Sequence, residues 1–138
     1  MSNERKRILV AEDNPAMNNV IRFNLERVGF EVVAETNGAE AAKRIDEQEF
    51  DLVFSDIQMP GMSGEELCHH IRHSAKLKDL PIVICSAKGM EIDTARMKVE
   101  YGLSQVLSKP FSPVELVTLA KSLLDRPVVT VDQSSVVA

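Results

Sequence analysis

The residues best suited to chemistry are three acids, a serine and a lysine, each of which closely follows a short apolar run. In chain order they are Glu12, Asp13, Asp56, Ser86 and Lys109. At about 4 Å and an effective dielectric constant of about 20, two like charges repel by up to about 4 kcal/mol. A lysine relieves part of that repulsion. Mg²⁺, which prefers carboxylate oxygens and water as ligands, would relieve more.

Phosphoryl transfer is a chemistry that such a group of residues could support. A divalent cation neutralises phosphoryl oxygens, the Ser86 hydroxyl could donate a hydrogen bond to one of them, and Lys109 could pair with another. Backbone N–H groups after Asp56 could hold a third. A central carboxylate can form an acyl phosphate, and Asp56, on the third predicted strand, is the best-placed acceptor.

Five apolar runs alternate along the chain with five segments of helical spacing. The runs are continuous rather than alternating, which is typical of strands covered on both faces in a parallel sheet. Strands are predicted over residues 8–11, 30–34, 52–54, 81–85 and 105–107. Helices are predicted over residues 15–28, 37–48, from about 63, over 91–100 and from 113 onward.

Local signals at the helix starts support this division. Asn14 precedes a proline, Ser63 and Glu66 form a capping box, and Ser112 again precedes a proline. Right-handed βαβ crossovers then give one open parallel sheet with helices on both faces. In such sheets ligands bind outside the carboxyl ends of the strands, where the acids, Ser86 and Lys109 are all expected.

Apolar residues at helical spacing predict which face of each helix is buried. The second helix is expected to bury Ala41, Ala42 and Ile45. The last helix is expected to bury Val114, Val117, Ala120 and Leu124, with Leu116 and Leu123 widening the stripe. The fourth helix has a thin stripe of Ile92, Ala95 and Val99, which predicts a loosely held element.

Length and charge restrict the function. The 138 residues fit one domain over residues 1–126, followed by a valine-rich tail over 127–138. The tail is expected to fray rather than to pair as an edge strand.

The formal net charge is −5 and the longest basic cluster is residues 5–7, so nucleic-acid binding by this chain is not expected. No apolar run approaches the ~20 residues of a membrane span, and the polar start is no signal peptide. A cytoplasmic protein is expected.

Cysteines and histidines give no metal-ligand pattern. Cys68 and Cys85 lie far apart and are expected to be small apolar residues, buried or half-buried. His69 and His73, four residues apart on the third predicted helix, could clip a metal, but no fitting cysteine or carboxylate spacing accompanies them. A solvated helix face is the interpretation we favour.

Four segments together resemble the receiver domains of two-component response regulators, of the single-domain, chemotaxis-regulator-like kind. They are the pair Glu12–Asp13, the acceptor segment 56–64, the pair Ser86–Ala87 and the segment 109–111. The resemblance extends from residue 7 to about 124. It implies a flavodoxin-like, doubly wound five-stranded parallel sheet with strand order 2-1-3-4-5 and five helices on both faces.

The resemblance also implies a mechanism. Mg²⁺ would be held by Asp13, Asp56 and the backbone carbonyl of Gln58, with Glu12 acting through water. A histidine kinase or histidine phosphotransfer protein would phosphorylate Asp56, and Ser86 and Lys109 would reorganise around the phosphoryl group. The face of the fourth helix, fifth strand and fifth helix would then change shape and bind a downstream protein.

Further features follow from the same resemblance. The chain would be a monomer or a phosphorylation-dependent dimer that turns over no external substrate, and the Lys109–Pro110 bond would be cis. One position departs from the family pattern. Val106, three residues before Lys109, stands where the family usually has a switching Tyr or Phe, and Tyr101 is in the wrong register to replace it.

Two other functions remain open at this level. Aspartate-nucleophile phosphohydrolases also form an acyl phosphate at the end of a parallel strand, but normally place a second Asp two residues after the nucleophile as general acid. Gln58 occupies that place and cannot act so. A receiver-like interaction module that never uses phosphate is the other alternative, for which Val106 is the supporting departure.

Overall fold

The computed structural model describes residues 5–124, in which five strands and five helices alternate. The strands are β1 (Arg7–Ala11), β2 (Glu31–Glu35), β3 (Leu52–Asp56), β4 (Ile82–Ser86) and β5 (Gln105–Ser108). The helices are α1 (Pro15–Arg27), α2 (Gly38–Glu47), α3 (Gly64–Arg72), α4 (Glu91–Tyr101) and α5 (Pro113–Leu124). The predicted elements are therefore confirmed, with strand ends shifted by at most two residues.

All five strands pair in parallel in the order β2-β1-β3-β4-β5. This order confirms the flavodoxin-like, doubly wound sheet. Strand order reverses between β1 and β3, so the crevice at their carboxyl ends is the expected ligand position. The predicted boundary between the domain of residues 1–126 and the tail of 127–138 lies outside the described residues.

Two apolar cores cover the sheet, one on each face. Successive residues of a strand point to opposite faces, so Ile8 and Val10 enter one core while Leu9 and Ala11 enter the other. α1 and α5 cover the first face, and α2, α3 and α4 cover the second. β3 and β4 are buried throughout, which explains their continuous apolar sequence.

The predicted caps are present. The Asn14 side chain accepts a hydrogen bond from the backbone N–H of Met17 at 2.9 Å. Ser63 and Glu66 form the reciprocal capping box, with distances of 2.8 and 3.1 Å. These bonds satisfy N–H groups that an α-helix leaves free at its start, so the loops at the site edge end at fixed positions.

The buried face of α4 is not the one predicted. α4 buries Thr94, Met97 and Tyr101, while Ile92 and Val99 are each 86% exposed. The predicted stripe rests on apolar residues alone, whereas the structure turns the opposite side of the helix inward. α2 buries Ala41, Ala42 and Ile45 as predicted.

In α5, Leu116 and Ala120 are buried, and Val117 and Leu124 are half-buried. Val114 is 72% exposed, so its predicted burial is wrong. This residue lies in the first turn, where the helix has only begun to cross the sheet.

Cys68 and Cys85 are buried and unpaired, as expected. Burial raises the pKa of each thiol to about 12, so both stay protonated. Within residues 5–124, no helix is both long and apolar enough to cross a membrane.

Candidate functional site

The carboxyl ends of four strands bring the predicted site residues together. Glu12 and Asp13 follow β1, Asp56 ends β3, Ser86 ends β4, and Lys109 follows β5. Asp56 is opposite Cys85 and Ser86 is opposite Ser108 in the strand register. Parallel strands in register end at one edge, so residues more than 90 positions apart in the chain share one crevice.

Lys109 makes the central contacts of this crevice. Its Nζ lies 3.1 Å from Glu12 Oε1 and 3.3 Å from Asp56 Oδ2. Burial lowers the pKa of Lys109, but the close contact with Glu12 and the negative charge of Asp56 outweigh that effect, and the pKa is raised. The ammonium is therefore held charged between two carboxylates. The Lys109–Pro110 bond is cis, as the resemblance implies.

Asp56 is 8% exposed. Its Oδ1 accepts a hydrogen bond from the backbone N–H of Ile57 at 2.9 Å. Burial and the negative charge of Glu12 raise the pKa of Asp56 to about 6, against the opposing effects of Lys109 and Ile57. The charged form of this carboxylate is thus destabilised where it stands, and a further cation would stabilise it.

Glu12 is 2% exposed. Its Oε2 accepts from the Asn14 N–H at 3.1 Å. Among the described residues, Oε1 has the ion-pair contact with Lys109 but no hydrogen bond of acceptable geometry. A buried carboxylate oxygen without a hydrogen bond is costly, and a metal-bound water or an ion would satisfy it.

Asp13 completes an acidic cluster. One carboxylate oxygen each from Glu12, Asp13 and Asp56 lie within 4.8 Å of one another, with Asp13 exposed and the other two buried. Three acids face one ammonium, and the donor set consists of the hard oxygens that Mg²⁺ prefers. The residues present therefore fit a magnesium ion.

Ser86 and Gln58 are the remaining predicted site residues. Ser86 is buried, and its hydroxyl donates to the carbonyl of its neighbour Ala87 at 3.1 Å. Gln58 is exposed in the loop after β3. The ligand role of its backbone carbonyl stays a prediction.

Asn18 is a site residue that the sequence analysis missed. It is 5% exposed on α1, and its side-chain amide donates to the carbonyls of Glu12 and Glu35, both at 3.0 Å. The ends of β1 and β2 are thereby joined, and the main chain of Glu12 is fixed. A polar residue at the inward helical spacing of Ile21 and Leu25 was the available signal.

Gly64 is a second residue whose role only the structure reveals. Its N–H donates to the Ile57 carbonyl at 2.9 Å, and an added Cβ would lie 2.8 Å from Ile57 Cα and would also overlap the Asp56 carbonyl. Any side chain here would push α3 off the end of β3. The first residue of α3 therefore rests on the backbone of the candidate acceptor.

The histidines of α3 do not form part of a comparable site. His69 and His73 are exposed, and their rings stack with centroids 3.9 Å apart. His73 Nδ1 lies 2.9 Å from the His69 carbonyl. Within residues 5–124, the acidic cluster is the only set of three or more His, Cys, Asp or Glu side chains close enough to hold an ion.

Fold and site together define a flavodoxin-like α/β domain with an acidic, lysine-containing crevice at its switch point. The sequence model of the response regulator receiver domain matches residues 8–121. The chain therefore belongs to the receiver domain family of response regulators.

Relatives agree with this assignment. The chain is 38% identical over 120 residues to the phosphate regulon transcriptional regulatory protein PhoB of Rhizobium meliloti (strain 1021), covering 87% of this chain and 52% of that protein. It is 33% identical over 121 residues to the alkaline phosphatase synthesis transcriptional regulatory protein PhoP of Bacillus subtilis (strain 168), covering 88% and 49%. The chain thus spans about half the length of these relatives.

Solved structures show the same fold. The chemotaxis response regulator CheY4 of Vibrio cholerae aligns with a TM-score of 0.80 at 25% identity, over 88% of this chain and 100% of that one. The receiver domain of Francisella response regulator 1452 aligns with a TM-score of 0.79 at 26% identity, over 88% and 98%.

Proposed function

We propose that this chain is a phosphoacceptor in two-component signal transduction, in which Asp56 receives a phosphoryl group from a histidine kinase or a histidine phosphotransfer protein. The observation that carries the proposal is the excess of negative charge at the strand ends. Three carboxylates lie within 4.8 Å of one another, and only two of them, Glu12 and Asp56, pair with Lys109. Structural charge pairing alone would not require that excess.

The residues that would hold Mg²⁺ are Asp13, Asp56 and the Gln58 backbone carbonyl, with Glu12 acting through water. The close approach of the three carboxylates and the raised pKa of Asp56 support this assignment. When bound, Mg²⁺ would supply the positive charge that an incoming phosphoryl group requires. Asp13 is the exposed member of the three acids.

In the transfer itself, an Asp56 carboxylate oxygen forms the new O–P bond as the P–N bond of a phosphohistidine breaks. The electron pair of that bond stays on the imidazole of the donor. Lys109, already 3.3 Å from Asp56 Oδ2, is placed to pair with a phosphoryl oxygen. The Ser86 hydroxyl must break its hydrogen bond to the Ala87 carbonyl before it can donate to a second phosphoryl oxygen.

The output we propose is a change on the face formed by α4, β5 and α5. A groove of about 470 Å³ between β5 and α5 lies on this face, and its lining includes Val106, Leu107 and Leu119. A protein partner suits this groove, and a net charge of −5 does not favour nucleic acid. We propose a cytoplasmic protein that is a monomer or a phosphorylation-dependent dimer, with its receiver domain in residues 1–126.

We do not propose turnover of an external phosphomonoester. The residue two positions after Asp56 is Gln58, an amide that cannot serve as the general acid of an aspartate-nucleophile phosphohydrolase. Release of phosphate from such a substrate by the purified chain would contradict this part of the proposal.

Intact-mass spectrometry after incubation with acetyl phosphate and Mg²⁺ tests the proposal. The wild type should gain one phosphoryl group that alkali removes, and Asp56→Asn should gain none. Asp51→Asn is the matched control, because Asp51 accepts a hydrogen bond from the Arg7 N–H at the opposite end of β3. Absence of the adduct from the wild type, or an equal adduct on Asp56→Asn, would overturn the proposal.

A further inference from the structure

The two ends of α4 are held very differently. At its start, Met90 provides no side-chain cap, and the loop after Ser86 is closed by a long hydrogen bond of 3.4 Å from the Met90 N–H to the Ala87 carbonyl. Gly89 in that loop has a φ of +95° and open space around it. The beginning of α4 therefore has no side-chain cap, and it is held by the packing of Met90 on the core and the burial of Thr94 rather than by bonds to a neighbouring element.

The other end of α4 is fixed by Arg72 of α3. Its guanidinium donates to the carbonyls of Tyr101 and Leu80, both at 2.6 Å, and to that of Gly102 at 3.3 Å. Gly102 adopts a left-handed conformation and returns its N–H to Lys98. Carbonyls that a helix leaves free at its end are thus satisfied by a charged donor.

Glu65 fixes the same half of α4 from the first turn of α3. Its two carboxylate oxygens accept from the Arg96 guanidinium at 2.8 and 2.9 Å, and Oε2 also accepts from the Tyr101 hydroxyl at 2.9 Å. The Arg96 hydrogen bond is the main cause that lowers the pKa of Glu65. A bidentate pair combined with a tyrosine bond fixes both distance and orientation.

The position of Glu65 also depends on the backbone of the candidate acceptor, Asp56. It directly follows Gly64, whose close contact with the Asp56–Ile57 backbone sets the position of α3. A continuous series of contacts therefore runs from Asp56 through Gly64 and Glu65 to Tyr101.

We propose that Glu65 is a positioning residue that holds the C-terminal half of α4 against α3, so that phosphorylation tilts α4 about this fixed end and displaces its N-terminal half. The inference rests on the proposed function, since the movement begins when the Ser86 hydroxyl leaves the Ala87 carbonyl for a phosphoryl oxygen. It needs no aromatic residue at Val106. The displaced half carries Ile92, 86% exposed, which would move with it.

The sequence provides a specific probe, because Tyr101 is the only tyrosine and there is no tryptophan. A phenol that donates to a carboxylate has quenched emission, so tyrosine fluorescence reports directly on the bond to Glu65. In the wild type, adding Mg²⁺ and beryllofluoride should shift NMR signals of residues 86–94. It should leave Tyr101 emission unchanged.

Variants of Glu65 test the positioning role. Glu65→Ala should raise Tyr101 emission and speed amide exchange in the last turn of α4 roughly tenfold or more. In this variant beryllofluoride should also change Tyr101 emission, since the C-terminal half of α4 has then lost the Glu65 contacts and keeps only the Arg72 hydrogen bonds to its end. Glu65→Gln keeps an acceptor for the phenol but loses the charge. Its Tyr101 emission and its amide exchange should therefore lie between those of wild type and Glu65→Ala. Glu40→Ala, which removes a first-turn carboxylate from α2, is the control and should behave as wild type.

Three results would overturn the inference. Wild-type shifts at Asp56 and Ser86 accompanied by a change in Tyr101 emission would disprove the fixed end while leaving the proposed function intact. Without any ligand, equal amide exchange in the last turn of α4 in wild type and Glu65→Ala would disprove the role of Glu65. If Mg²⁺ and beryllofluoride shift no signal near Asp56, the proposed function fails, and the tilt fails with it.

Discussion

Lys109 and Ser86 are joined through the main chain: the Lys109 N–H donates to the Ser86 carbonyl at 2.8 Å. Ser86 and Lys109, which would each contact a phosphoryl oxygen, are therefore joined by one backbone hydrogen bond where β4 and β5 end. Their spacing is set by strand register, and each side chain has only to rotate. A site of this kind can reorganise around a ligand without moving its scaffold.

The charge balance of the crevice predicts the effect of Lys109→Ala. Without magnesium, the change leaves Glu12 and Asp56 without their shared cation and should lower the free energy of unfolding by about 1–3 kcal/mol. Mg²⁺ should reduce this loss, because the ion would neutralise the same oxygens. Urea unfolding with and without Mg²⁺ measures both effects. Lys121→Ala, on the exposed side of α5, is the control, and equal stabilisation of wild type and Lys109→Ala by Mg²⁺ would contradict the shared site.

The raised pKa of Asp56 predicts a pH dependence of stability. Between the unfolded value near 4 and the folded value of about 6, the folded protein binds more protons at this group than the unfolded chain. Stability from this group therefore rises as the pH falls through 6, and above that pH the buried charge is destabilising. In magnesium-free buffer, Asp56→Asn should be more stable than wild type by about 1–2 kcal/mol at pH 7.5. The advantage should shrink towards pH 4, and an advantage independent of pH would rule out this cause.

The bridge made by Asn18 predicts a coupled loss of stability and metal affinity. Asn18→Ala leaves the buried Glu12 carbonyl without this donor and removes one of the two donors of the Glu35 carbonyl, which keeps the Glu12 N–H, and should cost about 1–3 kcal/mol. Because the main chain of Glu12 is no longer fixed, Mg²⁺ should also bind more weakly in a calorimetric titration. Asn24→Ala is a matched control on the same helix, where the amide bonds only to the Val20 carbonyl in an exposed position. Unchanged Mg²⁺ affinity in Asn18→Ala would show that the bridge is merely structural.

The environment of Tyr101 predicts its titration. Burial first, and then the hydrogen bond to Glu65, raise the pKa of Tyr101 to about 12. The phenol therefore contributes stability below pH 10 that is lost as the pH rises from 10 to about 12. Absorbance titration should give a pKa well above 10 for wild type. Glu65→Ala should give a lower value that still exceeds 10, because burial, the larger cause, remains; an unchanged value would show that the bond does not exist in solution.

Much of the fold could be predicted because local patterns determine it. Continuous apolar runs indicated strands buried on both faces, and Asn14, Ser63 and Ser112 marked helix starts that the structure confirms. The carboxyl ends of those strands then identified the positions of Asp56, Ser86 and Lys109. Which phosphoryl chemistry they perform stays a proposal.

The helix faces could not be predicted equally well. On α4, Ile92 and Val99 formed the more apolar stripe, yet Thr94, Met97 and Tyr101 are buried. Helical spacing supplies several candidate faces, and the choice depends on what α3 and the sheet offer. Glu65 and Arg72 form hydrogen bonds with Tyr101, and a prediction based only on the positions of apolar residues takes no account of such bonds.

The sequence by itself determined the succession of strands and helices, and it placed acids, a hydroxyl and an ammonium at strand ends, because those features depend on residues close together in the chain. Tertiary structure alone decided that Asn18 joins Glu12 to Glu35 and that Glu65 holds Tyr101. These contacts depend on how helices are turned against a sheet built from distant segments. Their hydrogen bonds form only once packing has brought the partners within about 3 Å.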